Sequence, residues 1–218
     1  MPHAHSDLVL LGSIDDTLVQ NLTRELQHDR YQRHIPLRLF ISSPGGSMPL
    51  ALTLARLLLS LFDHIETYNL ATVDSAAVCL YLTGNKRHSF TSSRFFLHPA
   101  SVALTQPATE ERLQENLRII RSDTASMIDF YQERTNIDEP TLRHWFATPT
   151  VLTSNEAIAQ GIATDLCTDI PDFSPHYLPL NVPPCDLASM PEALIPLSPS
   201  PYRSLPPQPS SPHKAKEP

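Results

Sequence analysis

The sequence predicts an α/β domain built on largely parallel strands. Three observations lead there: short apolar runs alternate with helical patterns along residues 8–167, the helical patterns are amphipathic or wholly apolar, and the composition changes near residue 170. Repeated strand, helix, strand order favours parallel pairing through right-handed crossovers. Of 22 prolines, 14 lie from Pro171 onward. That shift sets a domain over residues 1–170 and a proline-rich tail over 171–218, expected to be disordered or extended at about 3.1 Å per residue. A domain of about 170 residues buries roughly 70% of its unfolded surface and needs no covalent staples.

The elements follow in order. "LVLLG" (8–12) is an apolar run stopped by glycine, and Leu18, Leu22 and Leu26 then recur on one helical face. A strand is expected over 37–42. "MPLALTLARLLLSLF" has a proline near its first turn and a nearly continuous apolar surface, the pattern of a buried helix packed on a sheet. "IETYNLATV" (65–73) predicts the next strand, "SAAVCLYLTG" a short helix stopped at Gly84, and "RFFLH" (94–98) another strand. From 110 to 134, Leu113, Leu117, Ile120, Met127 and Tyr131 repeat every three or four residues. That helix would reach roughly 37 Å, more than a small domain's own core requires. Helices are also expected after "NID" at 136–138 and in "TSNEAIAQG", where Thr153 or Ser154 caps and Gly161 terminates.

Composition narrows the function. With 41% hydrophobic and 18% charged residues and a net charge of -7, the chain lacks the basic surface of a nucleic-acid binder and the apolar spans of a membrane protein. Cys79, Cys167 and Cys185 have neither disulfide-framework nor zinc-type spacing, which points to a reducing compartment. The N-terminus has no signal-peptide pattern, so a cytoplasmic location is expected. His3 and His5 are two terminal side chains, too few for a firm metal site, and no metal or organic cofactor is expected.

Three segments carry the chemistry. In "SPGGS", Gly45 and Gly46 allow backbone angles and close approaches that a Cβ would block, immediately before a helix. Such a turn cradles a phosphate, presents N–H groups to an oxyanion, or is only a tight turn. No lysine stands in P-loop spacing and no G-x-G-x-x-G is present, which disfavours the phosphate. Ser75 lies between a strand and a helix start, a place for a nucleophile or for an ordinary N-cap. His98 ends an apolar strand, structural or catalytic. Serine, histidine and backbone N–H donors together make the minimum set for acyl transfer.

The order and spacing of these segments resemble the proteolytic subunit family of the Clp protease, over residues from about 8 to 166. "LVLLGSIDD" is similar to its first strand and turn, "FISSPGGS" to its glycine turn and "SAAVCLYLTG" to its nucleophile helix. "SRFFLHP" is similar to its histidine strand and "LTSNEAIAQGIATDL" to its closing helix and strand. All five glycines, Gly12, Gly45, Gly46, Gly84 and Gly161, fall where the family pattern has glycine.

The resemblance implies a ClpP/crotonase-like fold and a serine endopeptidase acting on peptides or unfolded proteins inside an oligomeric chamber of heptameric rings. It assigns Ser75 as nucleophile, His98 as general base, and the backbone N–H groups of Gly46 and Ala76 as the oxyanion hole. The helix from Glu110 matches the handle that interlocks two rings. The position of the family's triad aspartate falls on Pro149, flanked by Thr148 and Thr150, so the third member is left unassigned. Asp74, beside the nucleophile, is expected to cap the helix. Only seven residues precede Leu8, which weighs against engagement of a Clp-type ATPase. Two alternatives accompany this expectation: a catalytically weak or silent ring subunit with an assembly or adaptor role, and a crotonase-like enzyme acting on a thioester.

Overall fold

In the computed structural model, residues 5–104 and 106–171 are described. Strand β1 (Ser6–Leu11) is buried along nearly its whole length, as a parallel strand covered on both faces must be. It pairs with β2 (Leu37–Ser43), and the Arg38 guanidinium grips the Asp7 carboxylate with two hydrogen bonds of 2.6 and 2.7 Å where the two residues are register partners. Between them, helix α1 (Asp16–Glu25) starts where the Asp15 carboxylate accepts from the Leu18 N–H at 2.9 Å, and it buries Leu18 and Leu22.

Helix α2 (Met48–Leu61) carries Pro49 in its first turn, where a missing N–H breaks no bond, and buries Ala51, Leu54, Ala55 and Leu58 against the sheet. Strand β3 (Ile65–Asp74) leads to the short, wholly buried helix α3 (Ala77–Tyr81). Then come β4 (Lys86–Phe90), β5 (Arg94–Leu97), the 25-residue helix α4 (Glu110–Arg134), α5 (Glu139–Ala147), β6 (Thr150–Thr153), α6 (Ser154–Ala159) and β7 (Asp165–Cys167). The expected capping residue of α6 is Thr153, in a reciprocal capping box with Glu156.

The sheet runs β1-β2-β3-β4-β7, all parallel. Strand β3 changes neighbours along its length: its first half pairs with β4 and its last residues, Thr72–Asp74, pair with β5. Strand β6 lies antiparallel on β5, with Leu97 opposite Thr150. Strands β4 and β6 escape the sequence reading. "KRHSF" is too polar to look like a strand, and "TVLT" is only four residues long and runs directly into the cap of α6.

Helix α4 divides in two. Its buried residues run from Asn116 to Tyr131, with Met127, Ile128, Phe130 and Tyr131 in the core. Leu113, Leu117 and Ile119 remain exposed, at 49%, 45% and 44%. Among the described residues no helix is long and apolar enough to cross a membrane, and no group of three or more His, Cys, Asp or Glu could hold a metal ion. The proline-rich tail lies outside the described residues.

Candidate active site

Strands β2, β3 and β5 are neighbours, run in parallel and finish at one edge. Ser43 of β2 pairs with Val73 of β3, and Asp74 pairs with Phe96 of β5. One or two residues further on, the three strands deliver the glycine turn, Ser75 and His98 to the same place. That carboxyl edge is where open α/β sheets bind ligands.

Ser75 has φ +53°, which makes it the one non-glycine residue with positive φ among the described residues. A Cβ-bearing residue held there costs on the order of 1–3 kcal/mol. The conformation is held by the Ser75 N–H donating to the Phe96 carbonyl at 2.6 Å, and by the Val78 N–H donating to the Ser75 carbonyl at 3.1 Å. The ordinary N-cap role is therefore corrected: Ala76 occupies the cap position of α3, no side chain caps it, and the Ser75 hydroxyl makes no hydrogen bond among the described residues. A serine on a strained strand-to-helix turn presents its Oγ outward instead of spending it on the helix.

The glycine turn locks onto this elbow. A Cβ on Gly45, at φ +90°, would stand 2.7 Å from the Asp74 carbonyl oxygen, 2.8 Å from the Ser75 Cβ and 3.1 Å from the Ala76 nitrogen. On Gly46 it would run into the carbonyl oxygen of Ile14. Most polar groups of the turn are occupied. Gly45 N–H donates to Ser43 Oγ at 3.1 Å, the Gly45 carbonyl accepts from Ile14 N–H at 2.8 Å, and Ser47 N–H donates to the Ile14 carbonyl at 2.9 Å. The N–H groups of Gly46 and Ala76 donate to no acceptor among the described residues. Two unpaired donors flanking a half-buried serine are the elements of an oxyanion hole.

The His98 ring packs on the Phe96 ring, centroids 5.2 Å apart, and its Nδ1 lies 2.8 Å from the Pro99 carbonyl oxygen. A carbonyl can only accept, so Nδ1 carries the proton, and in the neutral ring Nε2 is then the nitrogen with the lone pair. That is the tautomer a general base needs. Neither Thr150 nor any carboxylate among the described residues holds it: the Thr150 hydroxyl donates instead to the Thr148 carbonyl at 2.9 Å. Continuing the antiparallel register of β5 and β6 sets Pro149 opposite His98.

Ser75, His98 and Gly46 line one cavity of about 220 Å³, without a direct hydrogen bond between serine and histidine. Asp74, 6% exposed, does not cap α3 as expected; its carboxylate pairs with the Arg94 guanidinium at 3.3 Å. The adjacent strand β5 thus supplies the counter-charge beside Ser75. Two residues of α4, Asp123 and Met127, complete the cavity wall. The sequence reading passed over Asp123. Its signal was a carboxylate four residues from Ile119 and from Met127, interrupting an apolar stripe. Burial raises its carboxyl above an aspartate's ordinary value.

Known proteins are similar to this chain in sequence and in fold. An ATP-dependent Clp protease proteolytic subunit 4 from Rhodococcus jostii (strain RHA1) is 30% identical over 166 residues, covering 73% of this chain and 83% of the relative. An ATP-dependent Clp protease proteolytic subunit from Paracoccus denitrificans is 26% identical over 121 residues, and there the match spans only 61% of the relative's length. Among solved structures, a ClpP1 mutant from Listeria monocytogenes superposes with a TM-score of 0.64 at 20% identity, over 75% of this chain and 91% of that one, a likeness of fold. The sequence model of the family described as Clp protease matches residues 3–169, which takes in every strand and helix described above. The chain belongs to the Clp protease family.

Proposed function

We propose that the chain is a serine endopeptidase subunit of a Clp-type protease, hydrolysing peptides or unfolded proteins through an acyl-enzyme on Ser75. The observation that carries this reading is the left-handed elbow at Ser75, opening with His98 and the free Gly46 N–H into one cavity. His98 Nε2 takes the serine proton as Oγ attacks the scissile carbonyl, and returns it to the leaving amine. The N–H groups of Gly46 and Ala76 hold the oxyanion, each such donor being worth about 2.7–4 kcal/mol in the transition state. Water then repeats the sequence on the ester. Side chains and backbone groups of the chain supply every step.

The exposed apolar residues on the first half of α4 support assembly into rings with further copies, which would enclose the cavity. ATP would be spent by a separate ATPase, in keeping with the relatives' description as ATP-dependent. A weak or silent subunit is favoured by one observation, the neutral carbonyl at His98 Nδ1 where a triad has a carboxylate. A fluorophosphonate probe separates the two. Labelling at Ser75, lost in Ser75→Ala, is expected; assembled protein that stays unlabelled after prolonged exposure would be the silent subunit.

A further inference from the structure

We propose that the cavity beside Ser75 is a subsite for a cationic side chain, lysine or arginine, of a peptide substrate, with the Asp123 carboxylate as its charge partner. The inference rests on the peptidase reading and names the substrate class of the same site.

Size and lining both favour one long, thin, charged side chain. A cavity of about 220 Å³ has the volume of roughly seven waters at about 30 Å³ each. That is room for a side chain and not for a folded segment. Met48, Pro49 and Met127 give it an apolar wall, and Met48 and Met127 are 8% and 3% exposed. Methylene stems of lysine and arginine pack on such walls while their heads seek a polar end. Asp123 is the one carboxylate in the lining, and it forms no hydrogen bond or ion pair among the described residues.

An apolar occupant would worsen the position of that carboxylate. Leucine in the cavity would displace water from Asp123 and supply no partner, a net cost for a desolvated charge. A lysine or arginine head replaces the lost water with a charge-assisted bond. The raised carboxyl of Asp123 agrees with this: burial opposes its ionised form, and a bound cation would favour it. The carboxylate and the imidazole of the lining also sit apart along the chain, Asp123 on α4 and His98 after β5, so one wall can hold the substrate while the other handles the proton.

The test uses full-length protein and two fluorescein-labelled peptides that differ only in lysine against norleucine, which keeps the stem and removes the charge. On Ser75→Ala protein, anisotropy should show the lysine peptide binding about tenfold more tightly or better. Adding Asp123→Asn should bring the ratio close to one, and Asp123→Lys should turn the preference toward a glutamate peptide. Equal or tighter binding of the norleucine peptide, binding of neither peptide, or a ratio untouched by Asp123→Asn would each overturn the proposal. So would turnover of both peptides slowing equally in Asp123→Asn with the ratio kept, since that would make Asp123 a partner of His98. Fluorophosphonate labelling of the unmodified protein is scored separately: its absence with an intact lysine preference removes the peptidase reading and leaves the subsite.

Discussion

The imidazole of His98 gives its Nδ1 proton to the carbonyl of the next residue, Pro99, across 2.8 Å. The tautomer is thereby set without any acid, but in the proposed mechanism the imidazolium formed during attack would gain no negative partner at Nδ1. In serine triads, loss of the buried acid costs about ten-thousand-fold in turnover. Pro149 faces His98 across the β5–β6 pairing, so Pro149→Asp offers a carboxylate to the same nitrogen. Turnover should rise by roughly tenfold or more with KM little changed. Steady-state peptide hydrolysis checks it; an unchanged turnover number would mean that the Pro99 carbonyl keeps the proton.

Gly45 and Gly161 separate strain from collision. Both have positive φ, yet a Cβ at Gly161 meets nothing within 4 Å, whereas one at Gly45 strikes the Ser75 turn. Gly161→Ala should therefore cost only the left-handed backbone penalty, about 1–2 kcal/mol, with fluorophosphonate labelling intact. Gly45→Ala should cost more and abolish labelling even at temperatures where the protein remains folded. Urea melts alongside labelling rates provide the comparison, and normal labelling of folded Gly45→Ala would contradict the interlock.

In the proposed mechanism Arg94 shields Ser75 from the Asp74 carboxylate. The pair is 3.3 Å apart, with the arginine side chain half exposed, so its share of stability is at most about 1 kcal/mol. Its effect on chemistry should be larger, because Arg94→Met leaves a buried negative charge next to the developing oxyanion. We expect labelling of Ser75 to slow several-fold, with Asp74→Asn in the same background restoring it. A labelling rate indifferent to both changes would refute the shielding role.

The cysteines give a pH-dependent test of the core. Burial pushes the Cys79 thiol up to about 12 and raises Cys167 less deeply within the protein. Because only the thiolate reacts, at pH 8 about one Cys79 in ten thousand is reactive even before access is considered. Iodoacetamide followed by peptide mapping should find Cys167 alkylated in native protein and Cys79 only after unfolding. Raising the pH toward 10 should speed Cys167 first. Prompt native alkylation of Cys79 would mean that α3 opens.

Much of this was legible in the sequence, for reasons of pattern. Apolar runs as long as β1 and β2 declare themselves, and α4 could be delimited because its apolar repeat, caps and flanking residues agree. Ser75, His98 and Gly46 stand out as candidates because their types and their places at strand ends are unusual together. Partnerships decided across space were not legible. Asp74 looked like a cap because capping is local, while Arg94 reaches it through a parallel pairing 20 residues away. The Pro99 carbonyl was invisible for a simpler reason: every residue has a carbonyl, and only folded geometry selects one. β4 was missed because its side chains are polar and its place in the sheet comes from backbone pairing with β3.

Helix α4 has no proline or glycine between Glu110 and Arg134, so it behaves mechanically as a single rod. Its far end is clamped by Met127, Ile128, Phe130 and Tyr131, while Leu113 and Leu117 stand clear. Asp123 sits between the clamp and the free arm, as a load does near a fulcrum. In the proposed ring, a neighbour gripping Leu113 and Leu117 would therefore load the same helix that carries Asp123 to the cavity wall.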